Sequence, residues 1–180
     1  ASDVYKRQSL LLLSRIENGQ YTEMEDVSVD EILDELLPDL MDIYEHKQVR
    51  LIRKREEQPF IIRCNHSLAQ ILVSNLVKNS LLHNREEGEL QVLTTPTSLV
   101  IKNTGDVPLD GEKLFRRFYH GMDGKKDSTG LGLAIARSIA LSSSLKLTYE
   151  WQDGMHTFRL VKESKIYVKM KYPLLTSLFL

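Results

Sequence analysis

Ser67-Leu68-Ala69-Gln70-Ile71-Leu72-Val73-Ser74-Asn75-Leu76-Val77-Lys78-Asn79-Ser80-Leu81-Leu82-His83 reads as one helix, and its spacing decides how the rest of the chain is arranged. At a helical advance of about 100° per residue, Leu68, Ile71, Leu72 and Leu82 share a sector, and Asn75 and Asn79 fall inside it. A buried amide without partners costs on the order of a few kcal/mol. Two readings follow. Either Asn75 caps a neighbouring loop and Asn79 bonds a backbone carbonyl, or the helix faces a polar cavity that holds a ligand.

Working outward, Asn65 is placed to cap this helix, which ends near Asn84. Upstream, Val49–Arg53 and Pro59–Arg63 are two expected strands around the polar turn 54–58, and Tyr21–Val27 is an expected edge strand. Between them Ser28 offers an N-cap, with Asp30 and Glu31 in the first turn, to a helix that carries Val29, Ile32, Leu33, Leu36, Leu37, Leu40 and Ile43. Pro38 inside that pattern is expected to kink it. Residues 3–17 read as the tail of a helix stopped by Asn18-Gly19.

Downstream, Glu89–Leu93 and Ser98–Lys102 make a hairpin across Pro96, followed by a turn-rich stretch from Asn103 to Leu109. Lys113–Tyr119 is expected to be a short helix with Leu114, Phe115 and Phe118 apolar, and Gly121–Ser128 a mobile basic loop. Thr129-Gly130-Leu131-Gly132-Leu133 opens a helix to about Leu141, and a closing hairpin turns at Asp153-Gly154. Strands and helices mix without strict alternation. That order predicts an α+β two-layer sandwich with a mixed, mostly antiparallel sheet under a helical layer.

The 180 residues suit one domain with an appendage. With 24 basic against 25 acidic residues the formal charge is -1, which gives no global electrostatic case for nucleic acid. The single cysteine, Cys64, excludes an intrachain disulfide framework and is expected in the core. No segment approaches the roughly 18 to 20 apolar residues of a membrane-spanning helix. The chain as given is therefore expected to be soluble, and its opening on Ala1 suggests a piece of something longer with possible upstream membrane segments.

Four segments stand in a telling order: Asn75 and Asn79 with His83 one turn on; Asn103-Thr104-Gly105 after a strand; Leu114-Phe115-Arg116-Arg117-Phe118-Tyr119; and Thr129-Gly130-Leu131-Gly132-Leu133 opening a helix. Together they resemble the N, G1, F and G2 boxes of the ATP-binding catalytic domain of bacterial sensor histidine kinases, within the ATPase superfamily that includes gyrase B and MutL. Order and spacing carry the resemblance, since a lone G-x-G is weak. It covers roughly residues 28–161 and implies a Bergerat-type fold with nucleotide between the helices.

The resemblance implies ATP and Mg²⁺ as cofactors. Asn79 would be the metal ligand, because a hard cation takes oxygen donors and an amide oxygen leaves room for water and phosphate. Asn75 and His83 would line the same face, His83 having the alternative of a solvated helix-end residue. Asn103 stands where the family carries an adenine-binding aspartate; its amide oxygen accepts the same bond without charge assistance. Gly105 keeps the glycine that follows. Thr129, Gly130, Leu131 and Gly132 would set backbone N–H groups against the phosphates, with Arg117 and Tyr119, and also Arg116, Lys125 and Lys126, on the lid side. For Phe115, Phe118 and Tyr119 core packing is the expected main role. His120 replaces the arginine the family often has after the aromatic pair.

None of His46, His66, His83, His120 or His156 is followed by the acidic residue of a phosphoacceptor motif. The stretch Leu10–Asn18 resembles the end of the acceptor hairpin's second helix. The expected division is therefore 1–19 from the dimerisation helix, 20–162 as the ATP-binding domain and 163–180 as an unassigned tail. The resemblance implies transfer of the ATP γ-phosphoryl to a histidine upstream, with no catalytic residue in this chain. Its implied partners are the acceptor hairpin, a response-regulator receiver domain and a second copy in the full-length form. The implied location is the cytoplasmic side of a bacterial inner-membrane sensor. The rivals are a degenerate nucleotide-binding signalling module and another ATPase or serine kinase of the superfamily.

Overall fold

A computed structural model describes residues 2–119 and 130–163. The elements in order are α1 (Ser2–Glu17), β1 (Glu25–Ser28), α2 (Val29–Ile43), a short 3-10 turn (Glu45–Lys47), β2 (Arg50–Arg55), β3 (Ile61–Cys64), α3 (His66–Leu82), β4 (Glu89–Thr95), β5 (Ser98–Thr104), α4 (Gly132–Ser142), β6 (Leu145–Gln152) and β7 (Met155–Lys162). Five strands form one sheet in the order β2-β4-β5-β7-β6, parallel between β2 and β4 and antiparallel elsewhere. The helices form the second layer, as expected. No helix among the described residues is long and apolar enough to cross a membrane.

Strand alternation puts Leu90 and Val92, Leu99 and Ile101, Phe158 and Leu160, and Leu145 on the face that meets the helices, and all are buried. In the helical layer α3 is central, packed on α2 and α4 and lying against β5, while α1 packs on α4 and buries Leu13 and Ile16 in the core. Both caps read from the sequence are made. Ser28 Oγ accepts the Glu31 N–H at 3.2 Å, and Asn65 Oδ1 accepts the Leu68 N–H at 3.2 Å. Pro38 is exposed inside an uninterrupted α2. Cys64 is buried, with the Ser143 hydroxyl 3.2 Å from its sulfur.

Four local expectations are corrected. Val49–Arg53 and Pro59–Arg63 do not pair around their turn: β2 lies parallel to β4, whereas β3 joins β1 in a separate two-stranded sheet. Only the end of Tyr21–Val27 is extended, from Glu25. Lys113–Tyr119 is a run of turns, in which Lys113 and Leu114 both donate to the Asp110 carbonyl. A left-handed Phe118 (φ 60) stops any helix there and leaves its ring exposed rather than in the core. Asn103 belongs to β5 rather than to a turn.

A buried polar pin ties the layers together. The Asp30 carboxylate, in the first turn of α2, accepts from the Phe60 N–H at 2.8 Å, from the Thr94 hydroxyl at 2.5 Å and from the Arg53 guanidinium. Burial pushes this carboxyl up, but the hydrogen bonds from Thr94 and Phe60 and the charge of Arg53 outweigh it and hold it below its ordinary range. Lys47 does similar work at the far end of α3. Its ammonium donates to the carbonyls of Leu81 (2.9 Å), Leu82 (2.5 Å) and Asn84 (3.0 Å), where the helix leaves acceptors unmatched.

Candidate functional site

The buried face of α3 is broader than a narrow apolar stripe and is centred elsewhere. Leu68, Ala69, Leu72, Val73, Leu76, Val77, Ser80 and Leu81 are buried, because the helix is wedged between two others and a sheet. Asn75 and Asn79 are half-buried at the margin of that face rather than within it. There Asn75 meets the start of α4. Asn75 Nδ2 donates to the Gly132 carbonyl at 3.2 Å, as a structural amide would, while the Asn79 side chain has no hydrogen-bond partner among the described residues. His83 caps the C-terminus of α3, its N–H donating to the Asn79 carbonyl at 3.1 Å.

Among the described residues no side chain caps the N-terminus of α4; the cap position is Leu131, whose own side chain is fully buried. The N-terminus of a helix leaves its first-turn N–H groups without intrahelical partners and makes a dipole-positive mouth. A Cβ added at Gly132 would come no nearer than 3.9 Å to its neighbours among the described residues, at the Asn75 amide. Gly130 adopts φ 67, a conformation few other residues tolerate, and its carbonyl accepts the Phe118 N–H at 2.8 Å. The segment 113–119 is thereby tied to the glycine turn. Thr129, His120, Lys125 and Lys126 lie outside the described residues.

In segment 113–119 Phe115 and Tyr119 pack against the core, and the Arg137 guanidinium stands 5.6 Å from the Phe115 ring centre. Arg116 is exposed. Arg117 donates to both carboxylate oxygens of Glu17, at 2.7 and 2.8 Å, so it is held by the end of α1. No sequence signal pairs these two residues, which lie 100 positions apart.

A second cluster stands at the end of β5. Asn103 is buried; its Nδ2 donates to the Thr104 carbonyl at 3.2 Å, and its Oδ1 has no partner among the described residues. An unmatched buried acceptor costs about 1–3 kcal/mol. Across the register from Asn103 lies His156, whose Nδ1 is 2.9 Å from the Tyr149 hydroxyl. That hydroxyl accepts the Leu109 N–H at 2.9 Å, and burial raises its pKa, which keeps it a neutral O–H. The Trp151 indole N–H donates to the Gly105 carbonyl at 2.8 Å. Sequence reading missed the roles of His156, Tyr149 and Trp151. The one available signal was alternation in the last hairpin, which puts all three on the face that Asn103 shares.

Two concavities among the described residues lie elsewhere. One of about 580 Å³ is bordered by Arg50, Arg85, Thr104, Asp106 and Gly154, and one of about 600 Å³ by Ile61, Arg63, Ser143, Leu145 and Lys162. Neither is lined by Asn75, Asn79 or Asn103.

Residues 65–166 match the family described as histidine kinase-, DNA gyrase B-, and HSP90-like ATPase. The sensor protein CutS of Streptomyces coelicolor is 29% identical over 157 residues, 82% of this chain and 37% of that protein. The sensor histidine kinase TrcS of Mycobacterium tuberculosis is 28% identical over 163 residues, 83% of this chain and 32% of that one. The chain thus spans about a third of the length of the curated relatives it matches. Among solved structures, the catalytic domain of histidine kinase ThkA superposes with a TM-score of 0.67 at 19% identity, covering 77% of this chain and 94% of that one. The Acinetobacter baumannii histidine kinase AdeS gives 0.70 at 19% identity, covering 88% and 76%. Family match, two-layer architecture and the junction of α3 with a glycine turn agree, and the chain belongs to the histidine kinase-, DNA gyrase B-, and HSP90-like ATPase family.

Proposed function

We propose that this chain is the ATP-binding catalytic part of a sensor histidine kinase, with the nucleotide held between the margin of α3 and the N-terminus of α4. The observation that carries the reading is the bond from Asn75 to the Gly132 carbonyl, which sets the margin of α3 against the N-terminal mouth of α4, with Asn79 half-buried one turn along that margin. A triphosphate fits such a mouth, because backbone N–H groups and the helix dipole both favour negative charge. Among the described residues no three His, Cys, Asp or Glu side chains gather as a metal cluster. A cation here would therefore be one that shares phosphate oxygens with a single protein oxygen. Asn79 fits Mg²⁺ on those terms, with Asn75 one turn away on the same helix.

Asn103 supports the base end of the reading, since its buried, unmatched oxygen suits an amine donor. The domain's contribution to phosphoryl transfer would be positioning and charge neutralisation. Residues 1–19 would belong to the dimerisation helix and 20–162 to the nucleotide-binding domain, with the acceptor histidine on the hairpin that α1 continues. The packing of α1 on α4 supports a hairpin that would lie near the nucleotide mouth. The full-length protein would be a dimeric, membrane-associated sensor that passes its phosphoryl group to a receiver domain.

The test supplies a separately made acceptor hairpin and γ-labelled MgATP. Label on the hairpin that is lost in acid and kept in alkali is the expected result. An acid-stable product would instead make the chain a serine kinase of the same family, and no transfer despite nucleotide binding would favour a non-catalytic module.

A further inference from the structure

His156 occupies space that the backbone of β5 leaves vacant. A methyl group in place of the Gly105 hydrogen would come within 2.0 Å of His156 Nε2 and 2.2 Å of Cδ2, so the imidazole lies across that glycine. Asn103 is the direct register partner of His156 on the neighbouring strand, and both side chains point to the helical side of the sheet. Asn103 Oδ1 is sealed from solvent and unmatched, while the bond from Nδ2 to the Thr104 carbonyl fixes which way the amide faces. The group on offer is an acceptor that nothing from solution reaches in this arrangement. Tyr149 holds the ring in place, its hydroxyl 2.9 Å from Nδ1 and its ring stacked at 5.9 Å between centres and 28° between planes. Because that hydroxyl already accepts the Leu109 N–H, its own proton is available to donate to Nδ1.

We propose that His156 governs entry of the nucleobase: its imidazole covers the seat between Gly105 and the Asn103 acceptor, and a purine bearing an exocyclic amine reaches Asn103 Oδ1 only when the ring turns out. The role rests on the nucleotide reading given above and adds to it a residue that acts on the free protein. If the covered arrangement predominates, apparent affinity falls by the fraction of time the seat is open. A ring in place nine-tenths of the time would weaken binding about tenfold.

The test is calorimetric titration of MgATP into the wild-type chain, His156→Ala and Tyr149→Phe, with thermal melts to confirm folding. Tyr149→Phe removes the hydroxyl that anchors the imidazole and accepts the Leu109 N–H, and leaves Asn103 and Gly105 untouched. The expected result is tighter binding in both variants, by about fivefold to tenfold for His156→Ala and by a smaller factor for Tyr149→Phe. Unchanged or weaker binding in the folded variants, with wild-type binding intact, overturns the role and makes His156 a fixed wall of the seat. If His156→Ala fails to fold, Tyr149→Phe alone decides by the same criterion. No heat in any of the three at millimolar nucleotide overturns the nucleotide reading itself, and the role of His156 with it.

Discussion

At the residue scale, similar asparagines do different work according to what the backbone offers them. Asn65 caps a helix, Asn75 ties α3 to the first carbonyl of α4, Asn79 has no partner among the described residues, and Asn103 is buried with half its amide unmatched. The sequence made Asn75 and Asn79 conspicuous because four apolar residues share their sector, yet the buried face of α3 turned out broader and rotated, and both lie at its edge. This shift strengthens the case for Asn79 and tempers that for Asn75, whose main-chain bond also has a purely structural use. Asn79→Ala is expected to abolish Mg²⁺-dependent nucleotide binding and to change stability by no more than about 0.5 kcal/mol, since it breaks no side-chain hydrogen bond among the described residues. Calorimetry and a thermal melt check both. A large loss of stability with nucleotide affinity intact would mark Asn79 as a structural amide.

At the element scale, caps and hairpins were legible because their signals are local. Ser28 and Asn65 cap their helices, and the Asp153-Gly154 turn takes positive φ at both central residues, as a tight hairpin requires. What was illegible depends on distant partners. β2 and β3 look like a hairpin in sequence, but pairing with β4 and β1 gives each strand a different sheet. The apolar pattern of 113–119 suits a helix, but the bond from Phe118 to the Gly130 carbonyl holds Phe118 in a left-handed turn. The contact between α1 and the same segment through Glu17 and Arg117 has the most direct consequence for function. If Arg117 also serves the triphosphate, Glu17 competes for it. Exposed pairs of this kind contribute about 0.2–1 kcal/mol. Glu17→Gln should therefore tighten MgATP binding by up to about fivefold, as read by fluorescent-nucleotide titration. Weaker binding would show that α1 supports the mouth rather than restrains it.

At the scale of the whole molecule, the two layers are joined by apolar packing and by the pin of Asp30, Arg53 and Thr94. The Asp30 carboxyl titrates lower in the folded chain than in the unfolded one. As pH falls the unfolded chain therefore takes up the proton first. The contribution of the pin is intact above about pH 4 and fades as pH falls further, through the folded value. Asp30→Asn should remove that acid-dependent part of the stability profile. It should also cost about 3–5 kcal/mol near neutral pH, because Arg53 is left in a mostly buried site without its counter-charge, and denaturant unfolding at several pH values reads both. The sandwich as a whole was legible from the mix of helical and strand periods, since layer architecture needs only that each element bury one face. The central claim, that a metal-bound triphosphate sits between the margin of α3 and the mouth of α4, is tested most directly by amide NMR of the chain titrated with Mg²⁺ and a non-hydrolysable ATP analogue. The account predicts the largest shifts at the Asn79 side-chain amide and at the backbone of Gly130, Leu131 and Gly132. Shifts confined to the concavity bordered by Arg50, Arg85 and Asp106, with Asn79 and Gly132 unmoved, would contradict it.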